Sequence, residues 1–154
     1  MEPFKWSSLN RLQLGRYAEY LVMMEFTRLA CSVFSSEVDD RGIDFVIRTQ
    51  KGQYYEIQVK SSRDMNYVFL PKSKVQMAEN FLVALVLFLR DQENPDLYLI
   101  PMTAWSQDSR LFANREYPGK TSDPEYGLNL SARNLKLLEP FRFSEQVEKL
   151  LHQL

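Results

Sequence analysis

The sequence predicts a single-domain α/β fold in which a mixed central sheet is flanked by helices. Three stretches predict it. Residues 9–30 hold good helix formers, no proline, and apolar residues at helical spacing. Residues 43–61 hold two alternating runs joined by a short loop ending in glycine, as in a β-hairpin. Residues 81–89 form an unbroken apolar run, the pattern of a central strand covered on both faces.

Taken in order, the first helix is expected over Leu9 to Ala30. Leu14, Ala18, Leu21, Met24 and Leu29 supply one apolar stripe, and Leu12, Val22, Met23 and Phe26 a second, so most of its circumference should be packed. Ser7, Ser8 and Asn10 are candidate N-caps. A short strand follows at Cys31 to Val38, then the hairpin strands Ile43 to Thr49 and Gln53 to Ser61. Pro71 to Asn80 reads as a helix with proline in its first turn. Phe81 to Leu89 and Leu97 to Ile100 are strands on either side of an acidic turn, and Pro101 to Trp105 is a short helix. Ser106 to Glu125 is polar, carries Pro118, Gly119 and Pro124, and reads as a long loop of the kind that often has a function. Tyr126 to Leu130 is a short edge strand, and Ser144 to Leu154 a last helix with Phe143, Val147, Leu150 and Leu151 facing inward. This order predicts a mixed sheet with helices on both faces.

Composition narrows the chemistry. A chain of 154 residues, 45% hydrophobic and 25% charged, fits one domain over residues 1–154 with a real core. The only cysteine, Cys31, permits no internal disulfide and suits a reducing, cytoplasmic setting, where it would be a small buried hydrophobe. With His152 the only histidine, His/Cys zinc sites and Ser-His-Asp or Cys-His catalysis lack raw material. The start, Met-Glu-Pro-Phe-Lys-Trp, has no basic stretch leading into an apolar run, so no signal peptide is expected. No apolar run approaches the roughly 20 residues of a membrane-spanning helix. A net charge of −1 gives no general attraction to polyanions, so a nucleic acid must be held by a local patch.

The hairpin register carries the chemistry. With residues 50–52 as the loop, Thr49 faces Gln53, Arg48 faces Tyr54, Val46 faces Glu56, and Asp44 faces Gln58. Opposed side chains on one face lie about 5 Å apart at Cβ. Lys60, two residues beyond Gln58, points to the same side. Ile43, Phe45, Ile47, Tyr55, Ile57 and Val59 make the other face apolar, so one hairpin face gathers Asp44, Glu56, Gln58 and Lys60. Mg²⁺ or Mn²⁺ takes oxygen ligands of this kind. Asp44 would be the anionic ligand, with the Gln58 amide oxygen and the Val59 carbonyl beside it. Such an ion polarises a phosphate and acidifies a bound water, and Lys60 can orient that water or meet charge developing on the phosphoryl group. Glu56 is either a further ligand or a solvated neighbour of Arg48.

Gly-Ile-Asp-Phe-Val-Ile at 42–47, followed by Tyr-Glu-Ile-Gln-Val-Lys-Ser-Ser at 55–62, resembles the core of the PD-(D/E)xK nuclease superfamily. The likeness is nearest to a branch with archaeal Holliday-junction resolvases, small homing endonucleases and uncharacterised bacterial families. It spans roughly residues 9–62. It implies a restriction-endonuclease-like fold and a glutamate on the first helix that completes the site; Glu19, in Gly15-Arg16-Tyr17-Ala18-Glu19, matches that position. The implied catalytic set is Glu19, Asp44, Gln58 and Lys60. Two departures stand out: Ile43 precedes Asp44 where proline is usual, and Gln58 replaces the acidic residue, removing one negative charge from the site.

The expected function is metal-dependent hydrolysis of DNA phosphodiesters by a homodimer. Lys51, Arg63, Lys72 and Lys74 are the candidate phosphate contacts. Trp105, Tyr117 and Tyr126 are either base-stacking residues or loop anchors. The rival expectations are a weak or inactive nuclease-like module that binds nucleic acid or a protein, and an accessory subunit docking through residues 106–125.

Overall fold

The computed structural model describes residues 5–37 and 42–152. The expected ends of the first strand, at Val38, and of the last helix, at Leu154, lie outside the described residues. Helix α1 (Arg11–Arg28) starts at Asn10, whose side chain accepts from the Gln13 N–H while the Gln13 side chain accepts from the Asn10 N–H, both at 2.9 Å. This reciprocal cap satisfies two donors that the first turn would leave unpaired. Ala30, at φ 62°, ends the helix in the left-handed region, where the Cys31 N–H reaches the Phe26 carbonyl and the Ala30 N–H that of Thr27. Only one stripe is buried: Leu14, Ala18, Val22 and Phe26. The expectation of a helix packed on most sides is corrected here, since Leu12 is 85% and Met24 57% exposed.

Strands β1 (Ser32–Ser35), β2 (Phe45–Arg48) and β3 (Tyr54–Ser62) form an antiparallel meander. The hairpin has the register that the loop length predicts, with Val46 opposite Glu56 and Arg48 opposite Tyr54. Gly52, at φ 84°, takes the left-handed loop position. Phe45, Ile47, Tyr55, Ile57 and Val59 are buried in one core, as the alternation requires; Ile43, expected on the same face, lies before the strand begins and packs against the opposite core.

The helix expected over Pro71 to Asn80 is absent. Strand β4 (Tyr67–Pro71) and a single 3-10 turn (Lys72–Lys74) stand in its place. Tyr-Val-Phe-Leu at 67–70 is strand-forming sequence, and residues 75–80 offer no buried stripe to hold a helix; Met77 is exposed. Strand β5 (Phe81–Leu87) then pairs parallel with β3, and β6 (Asp96–Pro101) antiparallel with β5, giving a five-stranded sheet in the order β1-β2-β3-β5-β6. A parallel neighbour demands a crossover of a dozen or more residues, and the excursion through β4 supplies it.

That excursion builds a second sheet. Strands β7 (Phe112–Arg115) and β8 (Glu125–Asn129) join β4 in the order β4-β8-β7. The stretch from Ser106 to Glu125 therefore contains a strand, and the expected edge strand near Tyr126 is the middle of its sheet. Gly127 makes this pairing possible, because the Tyr67 ring lies against its Cα where any side chain would sit.

Every residue of β5 is buried, between two cores. Leu82, Ala84, Val86 and Phe88 lie in the core with α1 and α2 (Phe143–His152), whose Phe26 and Phe143 rings meet at 5.1 Å. Phe81, Val83, Leu85 and Leu87 face Leu70, Trp105, Leu128 and Leu138. The architecture is thus an α/β mixed sheet with flanking helices. Both α-helices share one face; the small sheet and two 3-10 segments (Met102–Ser106 and Leu135–Phe141) cover the other, where the sequence predicts a helix.

Candidate functional site

The site forms where β2 begins. Asp44 precedes the first residue of that strand, and its N–H still donates to the Ile57 carbonyl at 2.9 Å. Its carboxylate then takes over the ladder: Oδ2 accepts from the Val59 N–H at 2.6 Å and from Gln58 Nε2 at 3.1 Å. Gln58 Nε2 also lies 3.3 Å from the Val59 carbonyl. These groups are shielded in part from solvent, so a carboxylate bonded to a backbone N–H is worth more here than in open water. The expected Asp44–Gln58 pairing is therefore present as a direct side-chain contact.

Lys60 lies two residues further along the same face of β3, with Nζ 5.7 Å from the centre of the Phe69 ring. Glu56 shares this face, about 7 Å back along the strand from Gln58. Glu19 reaches the region from α1. Its side chain is only 25% exposed and forms an ion pair with Arg16 at 2.8 Å.

Glu19, Val59 and Lys60 line one groove of about 1020 Å³. Its walls are the first half of α1, the edge of β3 beyond the end of β2, and residues 66–69 at the start of β4. The groove exists because β2 begins only at Phe45, opposite Ile57, while β3 runs on to Ser62. Asp44 joins it through the Val59 N–H.

Among the described residues, no three His, Cys, Asp or Glu side chains cluster as a metal group. An ion here would draw on a mixed oxygen set: the carboxylates of Asp44 and Glu19, the Gln58 amide and the Val59 carbonyl. In kind this set fits a hard divalent cation such as Mg²⁺ or Mn²⁺. The orientation of Gln58 opposes binding as the site stands, because its NH₂ is turned towards Asp44. Rotating the amide by half a turn would present Oε1 instead.

The four proposed phosphate contacts do not come together. Arg63 lines the groove, but its guanidinium donates to the Leu9 and Ser7 carbonyls, tying the end of β3 to the entry of α1. Lys51 sits in the hairpin turn; Tyr54, close to that turn, and Lys60 are about 20 Å apart along β3. Lys72 pairs with Glu116 and Asn114 and lies 4.8 Å from the Tyr126 ring. Lys74 is exposed, with its backbone packed against Gly42. Trp105 is a core residue, 4% exposed, whose Nε1 donates to the Gly127 carbonyl at 2.8 Å; with Tyr126 under Lys72, these two rings are anchors. Sequence reasoning missed Arg11 and Arg16, which line the groove beside Lys60. Their cue is their place in the first turns of α1, which matters only once β3 is known to run beside that helix.

No protein-family model matches the chain, and no curated protein matches it. Among solved structures, a bacterial homing endonuclease, I-Ssp6803I, is similar over 89% of this chain and 90% of that one, with a TM-score of 0.55 and 14% sequence identity. At that identity the likeness is one of fold. No described helix is long and apolar enough to cross a membrane.

Proposed function

We propose that the chain is a PD-(D/E)xK-type endonuclease that hydrolyses DNA phosphodiesters with Mg²⁺ or Mn²⁺. The observation that carries this reading is the junction at the start of β2, where Asp44 meets Gln58 and the Val59 N–H beside a groove lined by Lys60 and Glu19. The likeness in fold to a homing endonuclease supports it.

Asp44, Glu19, the Gln58 amide oxygen and the Val59 carbonyl would hold the ion, with Glu56 as an outer carboxylate. When bound, the ion polarises the phosphate and lowers the pKa of a water. Lys60 orients the attacking water and meets the charge that develops as the P–O bond to the leaving alkoxide breaks. Arg11 and Arg16 hold the flanking phosphates, while Arg63 fixes the entry of α1 against the end of β3. A chain this small gains footprint as a cytoplasmic homodimer.

The test is a panel of labelled duplex, flap and branched DNAs incubated with Mg²⁺ or Mn²⁺. Cleavage by the wild type that disappears in Asp44→Ala is the expected result. An Asp44→Ala protein as active as wild type would remove the site. A second reading, a module that binds nucleic acid or protein without cutting, is favoured by the Gln58 NH₂ donated to Asp44. Titration with Mn²⁺ separates the two, since binding that depends on Asp44 belongs to the enzyme alone.

A further inference from the structure

The outer face of α1 carries apolar surface that the fold does not use. Leu12 is 85%, Tyr20 57% and Met24 57% exposed, and Tyr17 is partly so. At about 100° per residue, the order around the helix from the groove outward is Glu19, Leu12, Arg16, Tyr20. This surface is therefore the continuation of the groove wall. A shallow recess of about 440 Å³ lies on it, lined by Leu9, Leu12, Gln13, Arg16, Tyr17 and Tyr20. Leu9, Leu12 and Arg16 border the groove as well.

We propose that this recess takes an unpaired nucleobase of a strand whose phosphates run in the groove, so that the preferred substrate is single-stranded or splayed DNA. The proposal rests on the nuclease reading above and adds the substrate class. Two observations select a nucleotide over other occupants. The groove that the recess extends carries more positive than negative charge, with Arg11, Arg16, Lys60 and Arg63 against Glu19, Asp64 and the adjoining Asp44. Within the recess, the Arg16 guanidinium sits 5.9 Å from the Tyr20 ring, its direction set by the ion pair to Glu19. A guanidinium beside an exposed ring offers a planar, cationic platform, and bases stack on such surfaces without regard to sequence. The floor is rigid: the Tyr17 ring lies 4.9 Å from Trp6 and 6.1 Å from Phe88. In paired duplex the bases are stacked on one another and cannot enter.

The experiment measures binding by fluorescence anisotropy, with divalent ions chelated, for a labelled single strand, a splayed flap and a blunt duplex of equal length. Tyr20→Ala is expected to weaken single-strand and flap binding about 10-fold and leave duplex binding within about 2-fold. Tyr20→Phe, which keeps the ring, should bind like wild type. Equal losses on all three DNAs, or no loss on any, would overturn the proposal. So would a change in sedimentation of Tyr20→Ala or Leu12→Ala from dimer to monomer, since the stripe would then be a seam between copies. Wild-type protein that cuts duplex with metal yet binds single strands no better than duplex sinks this inference alone; protein that neither binds nor cuts any DNA sinks the nuclease reading with it.

Discussion

Gln58 stands where the nuclease pattern it resembles carries an acid, and its amide decides how the site behaves without an ion. With Nε2 donated to Asp44, the amide does for the carboxylate part of what a cation would do. Gln58→Glu replaces that donor with a second negative charge about 5 Å from the first at Cβ. Two consequences are expected together: Mn²⁺ affinity rises about 10-fold by calorimetry, and the metal-free protein melts lower, because like charges face each other in a half-buried site. A variant that gains no affinity would show that Gln58 is not among the ligands. Lys60→Ala is the complementary change. Lys60 lies at the rim of the groove over Phe69, outside both packed cores, so thermal stability should stay near wild type while cleavage falls by about 100-fold or more. A Lys60→Ala protein that cuts at the wild-type rate would remove its assigned role. The meeting of Asp44 with Gln58 could be read from the sequence because a three-residue loop sets the register of a hairpin, and register sets which side chains meet. Arg11 and Arg16 could not, because the face of α1 that borders a groove depends on where β2 begins and where β4 runs.

The ends of α1 show how far local signals go. Asn10 was one of three candidate caps, and the Gln13 side chain that completes its box shows only in the structure; the buried Leu14-Ala18-Val22-Phe26 stripe takes two residues from each of the two stripes that the spacing suggested. The other end is less ordinary, since Ala30 holds a left-handed conformation that normally costs an L-residue about 1–2 kcal/mol. Ala30→Gly is therefore expected to stabilise the protein by about 1 kcal/mol in urea denaturation; no gain would mean that the substituted chain loses as much backbone entropy on folding as it recovers in relieved strain. The missed helix at 71–80 has the opposite lesson. Proline in a first turn is a good start signal, but Pro71 closes a strand whose partner, β8, lies far along the chain. That pairing in turn depends on Gly127. Gly127→Ala should destabilise by about 2–4 kcal/mol, and the double change with Tyr67→Ala should cost less than the sum of the two, because removing the ring makes room for the new methyl. Strict additivity would show that the Tyr67–Gly127 contact does not couple the strands.

The molecule as a whole is nearly neutral, with a net charge of −1, so its grip on a polyanion must come from a local arrangement. The groove supplies one, with Arg11, Arg16, Lys60 and Arg63 along its walls. Each phosphate neutralised releases condensed counterions, and the salt dependence of binding counts them. With Arg63 donated to the Ser7 and Leu9 carbonyls, the other three give a slope of about −2 for log Kobs against log salt on a single strand short enough for one protomer; a homodimer on one duplex gives about −5. Arg11→Gln should make the single-strand slope shallower by about 1. Lys51→Gln and Lys72→Gln should leave it unchanged, since Lys51 lies in the distant hairpin turn and Lys72 is committed to Glu116 and Asn114. These substitutions all remove one positive charge, so any effect of net charge alone would appear equally in each. Anisotropy between about 50 and 200 mM salt spans the range in which such slopes are read. Equal flattening by all three substitutions would mean that the overall field binds the strand and that the groove has no particular part in it.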